Sequence, residues 1–167
     1  IEELPSPKSV FYKVFRPTLQ RLQLSGNRFR NVAPFARLLV FEQLKYINLS
    51  GNALDDVQGF GFNLAHGIPS IVELDLSRNN FRQFEISPKR SPHLRINLRG
   101  NPLSRVDFLT LVDGAATKTY LHERILFPMN TIKETRFRGC NHNIDGMVPL
   151  PPAFDGVISV YAYEFSV

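Results

Sequence analysis

The 167-residue chain has no tryptophan, two methionines and a single cysteine, Cys140. One cysteine cannot close an internal disulfide. That excludes a disulfide-framed secreted domain and favours a reducing compartment. No apolar run approaches the roughly 18 residues needed to span a bilayer. The longest stretches, such as Leu38 to Phe41, are core-sized, so no membrane partner is expected. There is no G-x-S-x-G elbow, Walker-type loop or paired-carboxylate constellation, so the chain reads as a non-enzyme without a cofactor. Cys140-x-His142 with Asp145 nearby falls short of four metal ligands. His66, His93 and His122 are scattered, which suits packing or surface roles. The chain opens on Ile1 and carries no signal peptide; it reads as a piece of a longer protein.

What is present is an ordinary globular composition, 43% hydrophobic and 21% charged, at a length that fits one domain. The net charge is +5 and the pI about 9.6, which points towards an acidic partner.

The chain is built on a repeat. Leu19, Leu22 and Leu24 precede Asn27 and Phe29; Leu44, Ile47 and Leu49 precede Asn52 and Leu54. Ile71, Leu74 and Leu76 precede Asn79 and Phe81; Ile96 and Leu98 precede Asn101 and Leu103. The asparagines step by 25, 27 and 22 residues. Each block fits L-x-x-L-x-L-x-x-N-x-L, the leucine-rich-repeat signature. The fourth lacks one residue before Ile96, since His93 stands where the first leucine belongs and Leu94 follows it. A distorted start to that strand is expected. Alternate strand residues face inward, and the asparagine turns in to bond backbone groups of the buried turn. The fold class expected is α/β, a short leucine-rich-repeat solenoid with parallel strands on the concave face and capped ends.

Residues 1–18 form the expected N-terminal cap and 19–112 the repeats. Residues 113–155 form a C-terminal cap with a Pro-rich exit, and 156–167 an extended strand. Within the returns, residues 32–44 carry Phe35, Leu38, Leu39 and Phe41 near helical spacing. Residues 57–71 are Gly-rich, and Asp55-Asp56 before them reads as a helix cap. Residues 84–94 hold Pro88 and Pro92 and read as irregular. Val106, Leu109 and Val112 predict a short helix over 104–112 capped by Ser104. Amphipathic turns are expected at Val10 to Phe15 and at Tyr120 to Phe127, the second stopped by Pro128. The final run GVISVYAYEFSV is rich in β-branched and aromatic residues and predicts a strand.

Phe127-Pro128 is followed by Ile144-Asp145-Gly146 and then Val148-Pro149-Leu150-Pro151-Pro152-Ala153-Phe154-Asp155. This succession, a helix, Phe-Pro, an Asp-Gly turn and a Pro-rich stretch ending in an aromatic-Asp pair, resembles the end of the leucine-rich domain in the Tap-type nuclear RNA export factors. Residues 129–143 are longer than that family's spacer. The resemblance implies a nuclear protein able to shuttle to the cytoplasm and modular in build, with an RNA-recognition domain before these repeats and a transport-factor-like domain after them. It implies RNA or an adaptor protein as partner, alongside other domains of the same chain. Some members of that family serve nuclear RNA-directed silencing instead of export.

The charge is segregated. Residues 8–45 hold eight cations against Glu42 alone, residues 46–77 hold four acids and no cation, and residues 78–105 hold seven cations against Glu85. On the concave strands the outward positions are Arg21, Gln23 and Ser25; Lys45, Tyr46, Asn48 and Ser50; Glu73, Asp75 and Ser77; and Arg95, Asn97 and Arg99. Arg21, Lys45, Arg95 and Arg99 are the candidate phosphate contacts, and Tyr46 a candidate base-stacking ring. Glu73 and Asp75 would meet an adaptor. Arg28 and Arg30, with Arg82 and Arg105, form a second candidate patch on one rim. The plainer alternative is a solvated face on which Arg95 pairs with Glu73, or Asp75 with Asn97 and Arg99, across the strands. A pure protein-interaction scaffold is the alternative function. Asn48-Leu49-Ser50 fits a glycosylation sequon, read here as coincidence.

Overall fold

The computed structural model describes residues 3–6, 8–55, 65–87, 90–109, 120–128, 131–138 and 158–162. Among the described residues nine strands form two sheets, and every pairing is parallel. The first sheet runs β1 (Arg21–Gln23), β2 (Tyr46–Asn48), β3 (Glu73–Asp75), β5 (Arg95–Asn97), β7 (Ile125–Leu126). The second runs β4 (Gln83–Ile86), β6 (Arg105–Leu109), β8 (Glu134–Arg138), β9 (Ile158–Ala162). This is an α/β chain with little helix, compatible with leucine-rich repeats.

The first sheet follows from the repeat. Leu22, Ile47, Leu74, Ile96 and Ile125 share one register row. All but Leu22 are buried in the core, and Leu22 packs against it half-exposed. The asparagines then form a ladder between neighbouring repeats. Asn79 donates from Nδ2 to the carbonyls of Leu49 and Leu76, each at 3.0 Å, and of Ser77 at 3.1 Å. Its Oδ1 accepts the Leu54 N–H at 3.0 Å. Asn52 and Asn101 repeat this: each donates to its own and the preceding repeat's leucine carbonyl and accepts the N–H of Phe29 or Phe81. One side chain thereby satisfies buried donors and acceptors on two repeats at once. Asn27, at the first repeat, bonds the Leu24 and Ser25 carbonyls of its own repeat and is half-exposed.

The residue before each asparagine takes positive φ: Gly26 at 65°, Gly51 at 64° and Gly100 at 71°. In the third repeat that residue is Arg78, at 54°. A side chain there crowds the backbone, at a cost of roughly 1–2 kcal/mol relative to the right-handed region.

The first return is helical, as its spacing predicts: a 3-10 helix spans Ala33–Val40, burying Phe35 and Leu38. Asn31 Oδ1 accepts the Ala33 N–H at its start. Helix α1 (Val10–Phe15) also forms, and Phe11 and Tyr12 pack their rings on Phe41. Asp55 makes a β-bridge with Asn31; Asp56 lies outside the described residues.

One expected helix does not form, and another is cut short. Residues 105–109 are β6, because Val106 and Phe108 alternate inward and pair with Phe84 and Ile86 of β4. The i, i+3 match of Val106 with Leu109 loses to this period of two, since the neighbouring strand offers backbone partners that an isolated short helix lacks. Ser104 bonds the Arg82 carbonyl instead of capping a helix. Tyr120–Arg124 forms one π-helical turn, and Ile125–Leu126 then joins the first sheet beside β5. The sheet thus has a fifth strand beyond the four repeats counted in sequence. Residues 84–94, read as irregular, begin within β4.

The missing residue in the fourth repeat shows in the backbone. At β2 and β3 two successive N–H groups share one carbonyl of the preceding repeat: Lys45 and Tyr46 on Gln20, Val72 and Glu73 on Lys45. At β5 the Val72 carbonyl is matched with the Arg95 N–H, one residue after Leu94, whose bond to Ser91 repeats those of Leu44 to Phe41 and Ile71 to Ile68. β9 forms as its composition predicts and pairs with β8, Glu134 opposite Ile158.

Candidate functional site

The register places the outward residues of the first sheet in rows. Arg21, Tyr46, Glu73 and Arg95 form the first row, and Gln23, Asn48, Asp75, Asn97 and Leu126 the second. Two residues further on stand Ser25, Ser50, Ser77 and Arg99.

In the first row, the Arg21 guanidinium carbon lies 4.3 Å from the Tyr46 ring centroid, a cation–π contact. One face of the Tyr46 ring is therefore already covered. Glu73 and Arg95 are exposed and directly opposite, yet no ion pair joins them among the described residues. Lys45 stands just before the row; its carbonyl accepts the Val72 and Glu73 N–H groups.

The second row serves the backbone. Asn48 Oδ1 accepts both the N–H and the hydroxyl of Ser50, at 2.9 and 2.7 Å. Asp75 Oδ1 accepts the Ser77 N–H at 2.9 Å, and Asn97 Oδ1 the Arg99 N–H at 3.2 Å. Each is a turn closed by a short polar side chain just as the strand ends. Asp75 thus has a structural task as well as an outward charge, and the sequon asparagine Asn48 is engaged in the same way.

Arg99 is exposed and its carbonyl accepts the Arg78 N–H at 2.8 Å. Arg28 and Arg30 lie beyond the first asparagine turn, on either side of the buried Phe29, and are not brought into the rows. Arg105 is no free rim cation: its Nε lies 3.1 Å from Asp107 Oδ1, and it donates to Gln83.

The rows end in a hollow of about 350 Å³ over β3, β5 and the segment leading into β7. Glu73, Asp75, Arg95 and Asn97 line it from the sheet, and Glu123, Arg124 and the exposed Leu126 from beyond. Arg124 is tied to the His93 carbonyl at 3.2 Å. Sequence reading missed these last three residues because residues 120–127 matched a helix. The signal was present: Ile125, Phe127, Asn130 and Ile132 repeat the spacing of Ile96, Leu98, Asn101 and Leu103. The Phe127-Pro128 pair, read as the end of a cap, directly follows that strand. The rest of the export-factor resemblance, and the Cys140 to Asp145 cluster, lie outside the described residues.

His66 is buried, and its Nε2 accepts the Ser87 N–H at 3.1 Å. Burial, with Arg90 adding to it, pushes its pKa down to about 4. Among the described residues no helix is long and apolar enough to cross a membrane.

No protein-family model matches the chain. It is similar to Tsukushi of Gallus gallus, 30% identical over 128 residues, and to a probable glycoprotein hormone G-protein coupled receptor of Anthopleura elegantissima, 29% identical over 84 residues. Those stretches are 74% and 50% of this chain but only 28% and 9% of the relatives' own lengths. Neither protein is named as an RNA export factor; with the repeats and the parallel sheets, the similarity supports a leucine-rich-repeat domain.

Proposed function

We propose that the chain is part of a leucine-rich-repeat solenoid whose concave sheet binds a protein partner without catalysis. The observation that carries this is the concave face itself. Its backbone is fixed by the asparagine ladder and the Asn48, Asp75 and Asn97 turns, while Glu73, Arg95 and Arg99 remain exposed without ion pairs among the described residues. Rigid scaffolding with uncompensated charges of both signs suits specific docking, because little order is lost on binding. One relative is named for a glycoprotein hormone, a protein ligand, which supports the same reading.

The RNA reading, and the nuclear location tied to it, draws on Arg21, Lys45, Arg95 and Arg99. Against it stand Glu73, Asp75 and Glu123 in the hollow, which repel a continuous phosphate chain, and the Arg21–Tyr46 contact, which occupies a face a base would need.

The test is charge reversal on the concave face. Proteins retained by the immobilised chain from cell extract or conditioned medium are challenged with the double variant Glu73→Lys, Arg95→Glu. Specific retention should be lost with the thermal unfolding midpoint unchanged. Retention indifferent to the double variant sinks the concave reading. Tight RNA binding that falls steeply with salt would replace it with the RNA reading.

A further inference from the structure

The turn before each repeat asparagine is written Ser25-Gly26-Asn27, Ser50-Gly51-Asn52, Ser77-Arg78-Asn79 and Arg99-Gly100-Asn101. Three of the four carry glycine at the positive-φ residue; the third carries arginine. Arginine gains nothing there from the backbone, since glycine makes the same turn with the same N–H bond to the next repeat: Gly26 to Ser50, Gly51 to Ser77, Arg78 to Arg99.

The neighbourhood accommodates this side chain. A Cβ added to Gly100 would come 3.1 Å from the Arg78 Cγ and 3.4 Å from its backbone nitrogen, so the stem of Arg78 lies over the bare backbone of Gly100. By contrast, a Cβ at Gly51 would meet only ordinary contacts at 3.7 Å or more.

Arg78 is next to a second cation. Its N–H bonds the Arg99 carbonyl, both residues are exposed, and neither has an ion pair among the described residues. An arginine in a strained turn and a second exposed arginine bonded to it through the backbone thus stand without an ion pair among the described residues. Backbone strain that the fold itself does not use is a mark of a functional site.

We infer that Arg78 and Arg99 form a carboxylate-binding pair at the rim of the concave sheet, holding an acidic segment of the protein partner. The inference rests on the concave-binding reading and adds the chemistry of its contact. Two guanidinium groups present parallel donors that match carboxylates in bidentate fashion. The hollow begins at Asp75 and Asn97, and Asn97 stands two residues, about 7 Å of strand rise, before Arg99. A peptide can place acids on the rim and a different side chain in the hollow; a uniform polyphosphate cannot.

The test is an NMR titration of the 167-residue chain with hexaglutamate, and separately with a uridine decamer. Hexaglutamate should shift the Arg78, Arg99 and Gly100 amides. Arg78→Gly and Arg99→Gln should each weaken it about tenfold, while Arg78→Lys, which keeps the charge but loses the bidentate fork, should recover only part of the affinity. The thermal midpoint of Arg78→Gly should hold or rise, because glycine relieves the turn. Hexaglutamate affinity indifferent to Arg78→Gly overturns the pair, as does a uridine decamer that binds tighter and depends equally on both arginines. Where partner retention falls with Glu73→Lys, Arg95→Glu but hexaglutamate ignores Arg78, the concave reading stands and the rim site fails. Where both are indifferent, both fail.

Discussion

The two sheets of this molecule handle charge in opposite ways. On the second sheet the outward side chains neutralise one another: Arg105 lies against Asp107 and donates to Gln83, and Arg136 Nε lies 2.6 Å from Glu134 Oε1. On the first sheet Glu73 and Arg95 stand as direct neighbours with no such pair, and Arg78 and Arg99 repeat one sign. Among the described residues, the same parallel architecture therefore carries one sheet whose charged side chains form ion pairs with one another and one on which Glu73 and Arg95 do not. An unanswered surface is poised for a partner, because binding supplies contacts the free chain lacks.

The comparison requires that the first sheet be held by its turns rather than by its outward charges. Asn79→Ala tests this with the largest effect expected. It leaves the Leu54 N–H and the Leu49 and Leu76 carbonyls without this partner in a buried turn, at about 1–3 kcal/mol for each unsatisfied group, so a loss of about 4 kcal/mol is expected. Asn27→Ala, at the half-exposed end of the ladder, should cost only about 1 kcal/mol. Urea unfolding of both variants checks the contrast; equal losses would mean the ladder is not what fixes the sheet.

A second expectation concerns the junction after β4. His66 is neutral in the fold, its pKa lowered to about 4, and it accepts the Ser87 N–H. Below about pH 6.5 the unfolded chain takes up a proton that the folded chain refuses, so the stabilising contribution is complete above that pH. It is lost as the pH falls towards 4, by about 3 kcal/mol over the window. His66→Gln, which keeps an acceptor, should flatten the stability profile between those limits. A wild-type profile already flat there would show that the histidine titrates normally.

Sequence spacing foretold the first sheet better than the second. The strands of the first sheet are fixed by leucines at set distances from an asparagine whose side chain bonds the backbone of two repeats. The returns answer to local packing. Phe35 and Leu38 keep helical spacing and form a helix, but Val106 and Phe108 gain more from pairing with Phe84 and Ile86. Glu123, Arg124 and Leu126 escaped notice because a 29-residue step from Ile96 to Ile125, with Pro128 just after, hid the fifth strand. The rows of charge were legible; their pairing was not. Asp75 and Asn97 turned out to bond backbone N–H groups rather than cross-strand charges, a choice decided by turn geometry. Arg78 could have been found by noticing an arginine in a glycine column.

The sharpest form of the comparison sets one acid from each sheet side by side. Asp107 is 3% exposed at its side chain and its partner Arg105 is 27% exposed, so their attraction is only partly screened by water. Asp107→Asn keeps the shape, removes the charge and leaves Arg105 facing a neutral group. Because Arg105 reaches solvent, the loss should fall short of that for a fully buried pair, at about 2 kcal/mol. Glu73→Gln removes an exposed charge that pairs with nothing described, and should change stability by less than about 0.5 kcal/mol. High salt should narrow the first loss only slightly and leave the second unchanged. Losses of equal size would show that Glu73 is answered within the chain after all, and the first sheet would no longer differ from the second.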